Sequence, residues 1–342
     1  MRRHASIVAG LLLAIGCDSG ASTASERNAG LDSLVSRAEA ASEAVVRGDA
    51  DWLFLTSELR FLAQGRFWGA AAASVSRAAK PDWADPLPAI EDFHRQLAGA
   101  GVELLLVPVP PKAAVVPDVL PALGAPAGRL DAAAAEFYEL LRERGIAVLD
   151  LQPEFVGSAE PGALYCRQDT HWSGPATERA AARIADEARR AGWYADVARE
   201  TFESERRDVT IDGDLRTMLD DPSLPEESVP LRFVGRRSGG RLAPVAPSRE
   251  SPVLLLADSH GLVFHAGGDM HARGAGLVDQ LTLELGFALD LVAVRGSGAT
   301  PARVNLARRP NGLRGKKLVI WAFSAREFTE SSQGWRVVPV VR

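Results

Sequence analysis

The feature that most constrains the fold is a series of short apolar runs, some with polar ends, separated by helical patterns. Three of them are VELLLVPVPP (102–111), SPVLLLADSHG (251–261) and KKLVIWAFSAREF (316–328). Apolar runs of this length are typical of strands that are covered on both faces. Between them lie the predicted helices Pro86–Ala98, Leu130–Arg144, Ala176–Ala191 and Leu277–Leu289. The alternation predicts an α/β fold with a central, mainly parallel sheet.

Further elements complete the prediction. Helical spacing predicts an N-terminal helix over Leu31–Val46, and short apolar runs predict strands at Trp52–Leu55, Ile146–Leu151 and Leu291–Val294. Residues 193–242 have weak periodicity and many charges, so we expect an insertion with short elements. A chain of 342 residues, 46% of them hydrophobic, is long enough for one large domain with additions or for two smaller ones. The net charge of −5 is spread along the chain and offers no surface for nucleic acid.

The first 17 residues have the pattern of an export signal. A basic start precedes a short apolar run, Ile7–Ile15, which is about half the length of a membrane span, and Cys17 follows small residues. This pattern is similar to a bacterial lipobox, in which the cysteine is lipidated, although ordinary signal cleavage nearby is the alternative. Residues 18–30 are small and polar and predict a flexible tether. If Cys17 is lipidated, Cys166 has no disulfide partner and is expected to be a small, half-buried residue.

A candidate catalytic set comes from two separate stretches. In CRQDTHWSGPA (166–176), Asp169 and His171 are two residues apart and would point to the same side of an extended segment. Ser259 follows an apolar strand, at the edge of the sheet where ligands bind. A serine nucleophile needs a base and an acid that orients the base, which His171 and Asp169 would supply. The plainer interpretations are a surface turn for Asp169, a packed side chain for His171 and a helix cap at Asp258-Ser259.

These motifs resemble the alginate O-acetyltransferase AlgJ/AlgX family. The resemblance is carried by DTHW before a helix of small residues and by ADSHG at a later strand end. It is supported by DWLFLTSELRF, LLLVPVPPKAAVVP and VIWAFSAREF, and runs from about Asp51 to Glu330. It implies an SGNH-hydrolase-like three-layer domain over residues 31–342 with a circularly permuted motif order. It also implies that Asp169, His171 and Ser259 form the triad. Because the chain ends soon after the terminal strand, we expect the AlgJ-like layout, without a C-terminal carbohydrate-binding module.

The rest of the site is less defined by the sequence. Arg295 and Gly296 follow a strand and are candidates to hold substrate or the oxyanion, with a plain surface charge as the alternative for Arg295. Asn305 is a weak candidate for the oxyanion asparagine of SGNH enzymes, and Arg326 with Glu327 is expected to be a structural ion pair. A competing metal site can be drawn from His260, His265, Asp269 and His271, but their spacing matches no ligand pattern that we know, and we expect neither metal nor cofactor. The histidines are interpreted instead as polar lining of a cleft.

The resemblance implies an exported polysaccharide O-acetyltransferase that works through an acetyl-serine intermediate. The acceptor would be alginate or a similar exopolysaccharide, the acetyl donor would be delivered by a membrane acyltransferase, and the location would be the periplasm. Two alternatives stay open at this point. One is a carbohydrate acetylesterase with the same triad. The other is a non-catalytic scaffold or glycan-binding subunit of an exopolysaccharide secretion complex.

Overall fold

The computed structural model describes residues 29–123 and 128–341. Within these ranges the strands form a central five-stranded sheet and two smaller antiparallel sheets. The strands are β1 (Val45–Arg47), β2 (Leu53–Leu55), β3 (Glu103–Val109), β4 (Ala147–Val148), β5 (Glu203–Ile211), β6 (Glu227–Ser238), β7 (Arg241–Pro244), β8 (Val253–Ala257), β9 (Asp290–Ala293) and β10 (Leu318–Ser324).

Most of the helices come between strands of the central sheet in chain order. They are α1 (Ala29–Ala40), α2 (Thr56–Ala63), α3 (Ala72–Val75), α4 (Pro86–Gly99), α5 (Lys112–Val115), α6 (Ala132–Glu143), α7 (Gln152–Val156), α8 (Gly174–Arg190), α9 (Asp214–Leu219), α10 (Leu277–Leu285), α11 (Thr300–Arg308) and α12 (Glu327–Glu330). In the part of the chain that the structure describes, no helix combines the length and the apolar character that a membrane span needs.

The central sheet confirms the predicted fold class. Its order is β4-β3-β10-β8-β9, and every neighbouring pair is parallel. Strands β8 and β10 are buried at each position, so both faces of the sheet are covered, as their unbroken apolar sequences predict. The last strand, β10, lies in the middle, with Trp321 in register with Leu106 on one side and Leu256 on the other. The ends of β3, β8, β9 and β10 therefore meet at one edge.

The N-terminal helix is shorter than predicted. The helix begins at Ala29, inside the predicted tether, and ends at Ala40, and the expected continuation to Val46 is wrong. Val45 and Val46 instead form β1, in which they pair with Leu55 and Phe54. Both valines are buried, and a β-branched pair that can be buried against a strand favours the extended state. Cys17 and most of the predicted tether lie outside the described residues.

The predicted insertion is more regular than its sequence suggests. It contains a long hairpin of β5 and β6, extended by β7 as far as Pro244, together with the short helix α9. Most of β5 is exposed, which explains its lack of an apolar pattern, whereas β6 alternates, with Val229, Leu231 and Phe233 buried. The expectation of only short elements is therefore wrong. This hairpin matters because the connection between its strands, which contains α9, reaches the candidate site.

Candidate active site

Ser259 lies at the carboxyl edge of the central sheet, where β8 gives way to a single 3₁₀ turn, Ser259–Gly261. Asp258 caps this turn: its Oδ1 accepts from the backbone N–H of His260 at 2.8 Å, and its Oδ2 accepts from that of Ser324 at 2.7 Å. Burial opposes the charge of Asp258, but His260 and the Ser324 N–H together hold its pKa at about 2. The helix-cap interpretation thus holds for Asp258. Ser259 stays half-buried at the first position of the turn, where an oxyanion can meet its N–H.

Asp169 and His171 form the pair that their spacing predicts. Nδ1 of His171 lies 2.6 Å from Oδ1 of Asp169, and the backbone N–H of His171 donates to the same oxygen at 2.9 Å. Among the described residues, Nε2 of His171 is buried without a hydrogen-bond partner. Burial opposes the charged imidazole, but the carboxylates of Asp169, Asp214 and Asp258 outweigh it and raise the pKa of His171 above its ordinary value. An oriented imidazole with one unpaired nitrogen is what a general base requires.

Two further groups hold the other oxygen of Asp169. Its Oδ2 accepts from the backbone N–H of Asp214 at 3.0 Å and lies 2.9 Å from Nε2 of His271. Burial opposes the charge of Asp169, but His171 and His271 hold its pKa well below the ordinary value. The carboxylate is therefore charged and fixed on both sides. The structure shows that His271 contacts the acid of the dyad directly, where the sequence had suggested only a lining residue.

The loop that carries the dyad is anchored to three other parts of the fold. The buried Lys112 ammonium donates to the backbone carbonyl of Asp169 at 2.6 Å and to that of Leu53 at 2.9 Å. Glu227, at the start of β6, accepts from the backbone N–H groups of Arg167 and Gln168. These anchors come from α5, β2 and the insertion. Sequence reasoning missed them because each is distant along the chain from the DTHW motif.

The stretch with Ser259 packs directly against the dyad. The ring of His260, the residue after Ser259, has its centroid 4.8 Å from that of His171. The indole N–H of Trp172 donates to the carbonyl of His260 at 3.1 Å, and the two rings meet edge to face. The residues next to the proposed nucleophile and next to the proposed base are thus in contact, although Trp172 and His260 are 88 positions apart in the chain. The segment that carries Ser259 therefore packs against the segment that carries Asp169 and His171.

The predicted substrate residues lie on the loop after β9. Arg295 is exposed and pairs with the exposed Asp269, with Nη2 at 2.6 Å from Oδ1. Gly296 has a φ of +87°, and a Cβ there would meet open space. The tightly packed glycine of this loop is Gly298, a position that sequence reasoning missed. A Cβ at Gly298 would lie 2.4 Å from the Cβ of Phe323 and 3.1 Å from that of Asp258, so this position requires glycine beside the turn that begins at Ser259.

The residues of the competing metal site point to four separate partners. His260 pairs with Asp258, His265 with Asp279, His271 with Asp169 and Asp269 with Arg295. They do not converge on one centre. Asp169, His171 and Asp214 do place one ligand atom each within 4.8 Å of one another. Their oxygens already accept hydrogen bonds, those of Asp214 from the N–H and hydroxyl of Thr170, and these bonds account for the cluster.

Three minor expectations need correction. Asn305 is exposed in the middle of α11, so it does not belong with the buried groups of the site. Arg326 pairs with Glu58 at 3.4 Å, whereas Glu327 accepts from the hydroxyl of Ser297. Cys166 is fully rather than half-buried. Burial and the nearby Asp169 raise the pKa of its thiol well above the usual value, which argues against a catalytic thiolate.

Comparison with known proteins identifies relatives of the whole described domain. Residues 45–325 match the family model of the SGNH hydrolase-like domain of acetyltransferase AlgX. A Pseudomonas aeruginosa protein named probable alginate O-acetylase AlgJ is 25% identical over 290 residues, which cover 82% of this chain and 70% of that protein.

Solved structures match the fold. The O-acetyltransferase domain of Pseudomonas putida AlgJ superimposes with a TM-score of 0.62 at 21% identity, covering 84% of this chain and 92% of that one. Pseudomonas aeruginosa AlgX gives a TM-score of 0.58 at 17% identity, covering 82% of this chain and 61% of that one. At these identities the likeness concerns the fold, and it confirms the predicted SGNH-like architecture.

Proposed function

Because the chain belongs to the family of the SGNH hydrolase-like domain of acetyltransferase AlgX, we propose that it O-acetylates an exported polysaccharide through an acetyl-serine intermediate on Ser259. The observation that carries the proposal is the His171 imidazole, which is held by Asp169 through Nδ1 and keeps a buried, unpaired Nε2 in the described structure. That nitrogen is the proton acceptor that a serine nucleophile needs.

The geometry supports a two-step reaction. Nε2 of His171 takes the proton of the Ser259 hydroxyl as Oγ attacks the carbonyl carbon of an acetyl donor. The oxyanion that forms accepts a hydrogen bond from the Ser259 N–H, and Gly296 is a candidate for a second donor. The tetrahedral intermediate collapses as the imidazolium returns its proton to the leaving oxygen. A sugar hydroxyl then gives its proton to Nε2 as its oxygen attacks the acetyl carbonyl. The bond to Oγ breaks as the imidazolium returns that proton to Oγ, which restores Ser259.

The acceptor is proposed from a named relative, and the donor is proposed from the family resemblance. Because one named relative is a probable alginate O-acetylase, we propose alginate or a similar exopolysaccharide as acceptor. We further propose that a membrane acyltransferase delivers the acetyl group on the periplasmic side. No cofactor or metal has a step in this reaction.

The proposal is tested by measuring whether a sugar or water takes the acetyl group from the acetyl-enzyme. The enzyme would be given an activated acetyl ester with and without oligosaccharides of known composition, and acetylated sugar and free acetate would both be measured. A transferase places acetyl groups on a sugar at the expense of acetate. Rapid release of acetate, unaffected by any acceptor, would assign the same site to an acetylesterase. Full function of a Ser259→Ala variant in polysaccharide secretion and acetylation would point to the scaffold role.

Arg295 is proposed to hold an anionic acceptor. The Arg295 guanidinium pairs with the Asp269 carboxylate at the surface, and a uronate carboxylate could replace that partner. We expect Arg295→Ala to weaken acceptor use by about ten- to hundredfold, which is the loss of one charge-assisted hydrogen bond. Acetylation of Ser259 by a small ester should change little, and Arg295→Lys should restore acceptor use only in part. Rates of the two half-reactions measure this.

Asp269→Asn is the matched control for Arg295. It removes the competing charge without removing the guanidinium, so acceptor use should stay equal or improve. Equal losses in both half-reactions of Arg295→Ala would place Arg295 on the donor side or in a structural role. No change in either would leave it a solvated surface charge.

The protein is proposed to act in the periplasm, anchored through a lipid on Cys17. This residue lies outside the described part of the chain, and the proposal rests on its sequence context. We expect the mature protein to begin at Cys17 and to partition into detergent, and Cys17→Ser to release it or block processing. Intact mass and detergent partition measure this, with Cys166→Ala as the control. A soluble mature protein that begins after Cys17 would support ordinary signal cleavage instead.

A further inference from the structure

Residues 262–275, here called the return loop, join the 3₁₀ turn Ser259–Gly261, here called the nucleophile turn, to Asp169. The loop starts where the N–H of Val263 donates to the carbonyl of Ser259 at 2.8 Å. Two backbone hydrogen bonds within the loop stabilise it. The N–H of Phe264 donates to the carbonyl of Met270, and the N–H of Ala275 donates to the carbonyl of Phe264, both at 2.8 Å. The loop then brings His271 to Asp169, a residue 102 positions away in the chain. It is therefore a rigid connection between two parts of the site that come from different regions of the sequence.

The backbone at His271 has an unusual conformation. Its φ is +66° and its ψ is −49°, and the N–H of Ala272 donates to the carbonyl of Met270 at 2.8 Å. These values define a γ-turn of the rare, strained kind centred on His271. A non-glycine residue keeps such a conformation only where its surroundings determine it, and such residues cluster at functional sites. Here the turn places the imidazole against Asp169, with 9% of the side chain exposed.

Asp169 is thereby held by an imidazole on each oxygen. Nδ1 of His171 lies 2.6 Å from Oδ1, and Nε2 of His271 lies 2.9 Å from Oδ2. The two contacts have different consequences. His171 contacts the acid and has a second nitrogen for the reaction, whereas the hydrogen-bond contact of the His271 ring is with Asp169. A hydrogen bond to Oδ2 draws negative charge away from Oδ1 and fixes the rotation of the carboxylate.

We propose that His271 is a positioning residue of the triad, which fixes the Asp169 carboxylate and couples its placement to that of Ser259 through the return loop. The inference rests on the proposed function, because it takes Asp169, His171 and Ser259 as the reacting set. It adds a fourth side chain to that set.

Other charged groups also face the dyad and stay unchanged in the test. They are Asp214 from α9, Asp258 and His260 from the nucleophile turn, and Lys112 from α5. A shift in the pH dependence of a His271 variant therefore reports the loss of the His271 contact. Loss of a donor on Oδ2 leaves more charge on Oδ1, which favours protonated His171. The acidic limb of the rate profile, where His171 loses its proton, should then move to higher pH.

The experiment measures acetylation of Ser259 by an activated acetyl ester as a function of pH, per folded enzyme. For His271→Ala we expect a rate about tenfold lower, the loss of one ordinary hydrogen bond, and an acidic limb at higher pH. His271→Gln should recover most of the rate, because its amide nitrogen can donate from nearly the same position. The matched control is His265→Ala, which breaks the contact of this loop residue with Asp279 of α10 and should leave the limb unchanged.

The outcomes separate the possibilities. A wild-type rate and an unchanged acidic limb in His271→Ala would overturn the proposal, as would a His271→Gln variant no better than His271→Ala. If His271→Ala does not fold, His271→Gly replaces it, since glycine adopts positive φ without strain. Absence of acetyl-Ser259 in the wild-type enzyme would refute the proposed function itself, a result distinct from any difference among the His271 variants.

Discussion

Replacing Ser259 by alanine is expected to lower acetyl transfer by about 10⁶-fold, the loss seen when the nucleophile of a serine triad is removed. The Oγ atom forms the covalent intermediate, and the neighbouring Asp258 cannot replace it, because both of its oxygens accept backbone hydrogen bonds. Ser259 is half-buried at the start of a turn, so the shorter side chain should leave the fold intact. Initial rates with an activated ester and an oligosaccharide measure the effect, and thermal unfolding checks the fold.

His171→Ala serves as the companion variant. It should cost nearly as much as Ser259→Ala, and the double variant should be little worse than either, because the residues of a triad act as a unit. Additive losses would mean that the two side chains act in separate steps. Acetyl transfer within tenfold of wild type by Ser259→Ala would rule out the acetyl-serine route.

Replacing Asp169 by asparagine is expected to lower the rate by about 10⁴-fold. The carboxylate accepts from Nδ1 of His171 at 2.6 Å, which directs the unpaired Nε2 to act as base. An asparagine amide can present an N–H to Nδ1 instead, and the imidazole would then carry its proton on the wrong nitrogen. The same substitution removes the negative charge that helps to raise the pKa of His171. The acidic limb of the pH–rate profile should therefore move to lower pH.

The measurement is a pH–rate profile of Asp169→Asn beside a thermal unfolding curve. Asp214→Asn is a useful comparison, because Asp214 contacts Asp169 through its backbone N–H and this bond survives the substitution. A loss of less than tenfold for Asp169→Asn, with the fold intact, would mean that Asp169 does not orient the base.

The parts of the site that could be predicted are local in sequence. Asp169 and His171 are two positions apart, close enough for the carboxylate to meet both the backbone N–H and the imidazole of His171, and Ser259 follows an apolar strand. The apolar strands β8 and β10 also identified the buried sheet directly. In each case a short pattern contains the physical cause of the structure.

The parts that were missed depend on contacts across the chain. His271 reaches Asp169 over 102 residues through a strained turn, and Asp214 reaches it from a hairpin that appeared to be an irregular insertion. The close packing that requires Gly298 comes from β10, which follows it in the chain. The predicted N-terminal helix runs too far because the helical spacing continues to Val46, whereas the strand that pairs with Val45 and Val46 comes later in the chain.

The most direct test of the account is the intact mass of the enzyme after brief incubation with an activated acetyl ester, followed by peptide mapping. We predict one acetyl group on Ser259 in the wild-type protein, none in Ser259→Ala, and loss of the group when an acceptor oligosaccharide is added. An acetyl group on another residue, or equal labelling of wild type and Ser259→Ala, would contradict the assignment of Ser259 as the nucleophile.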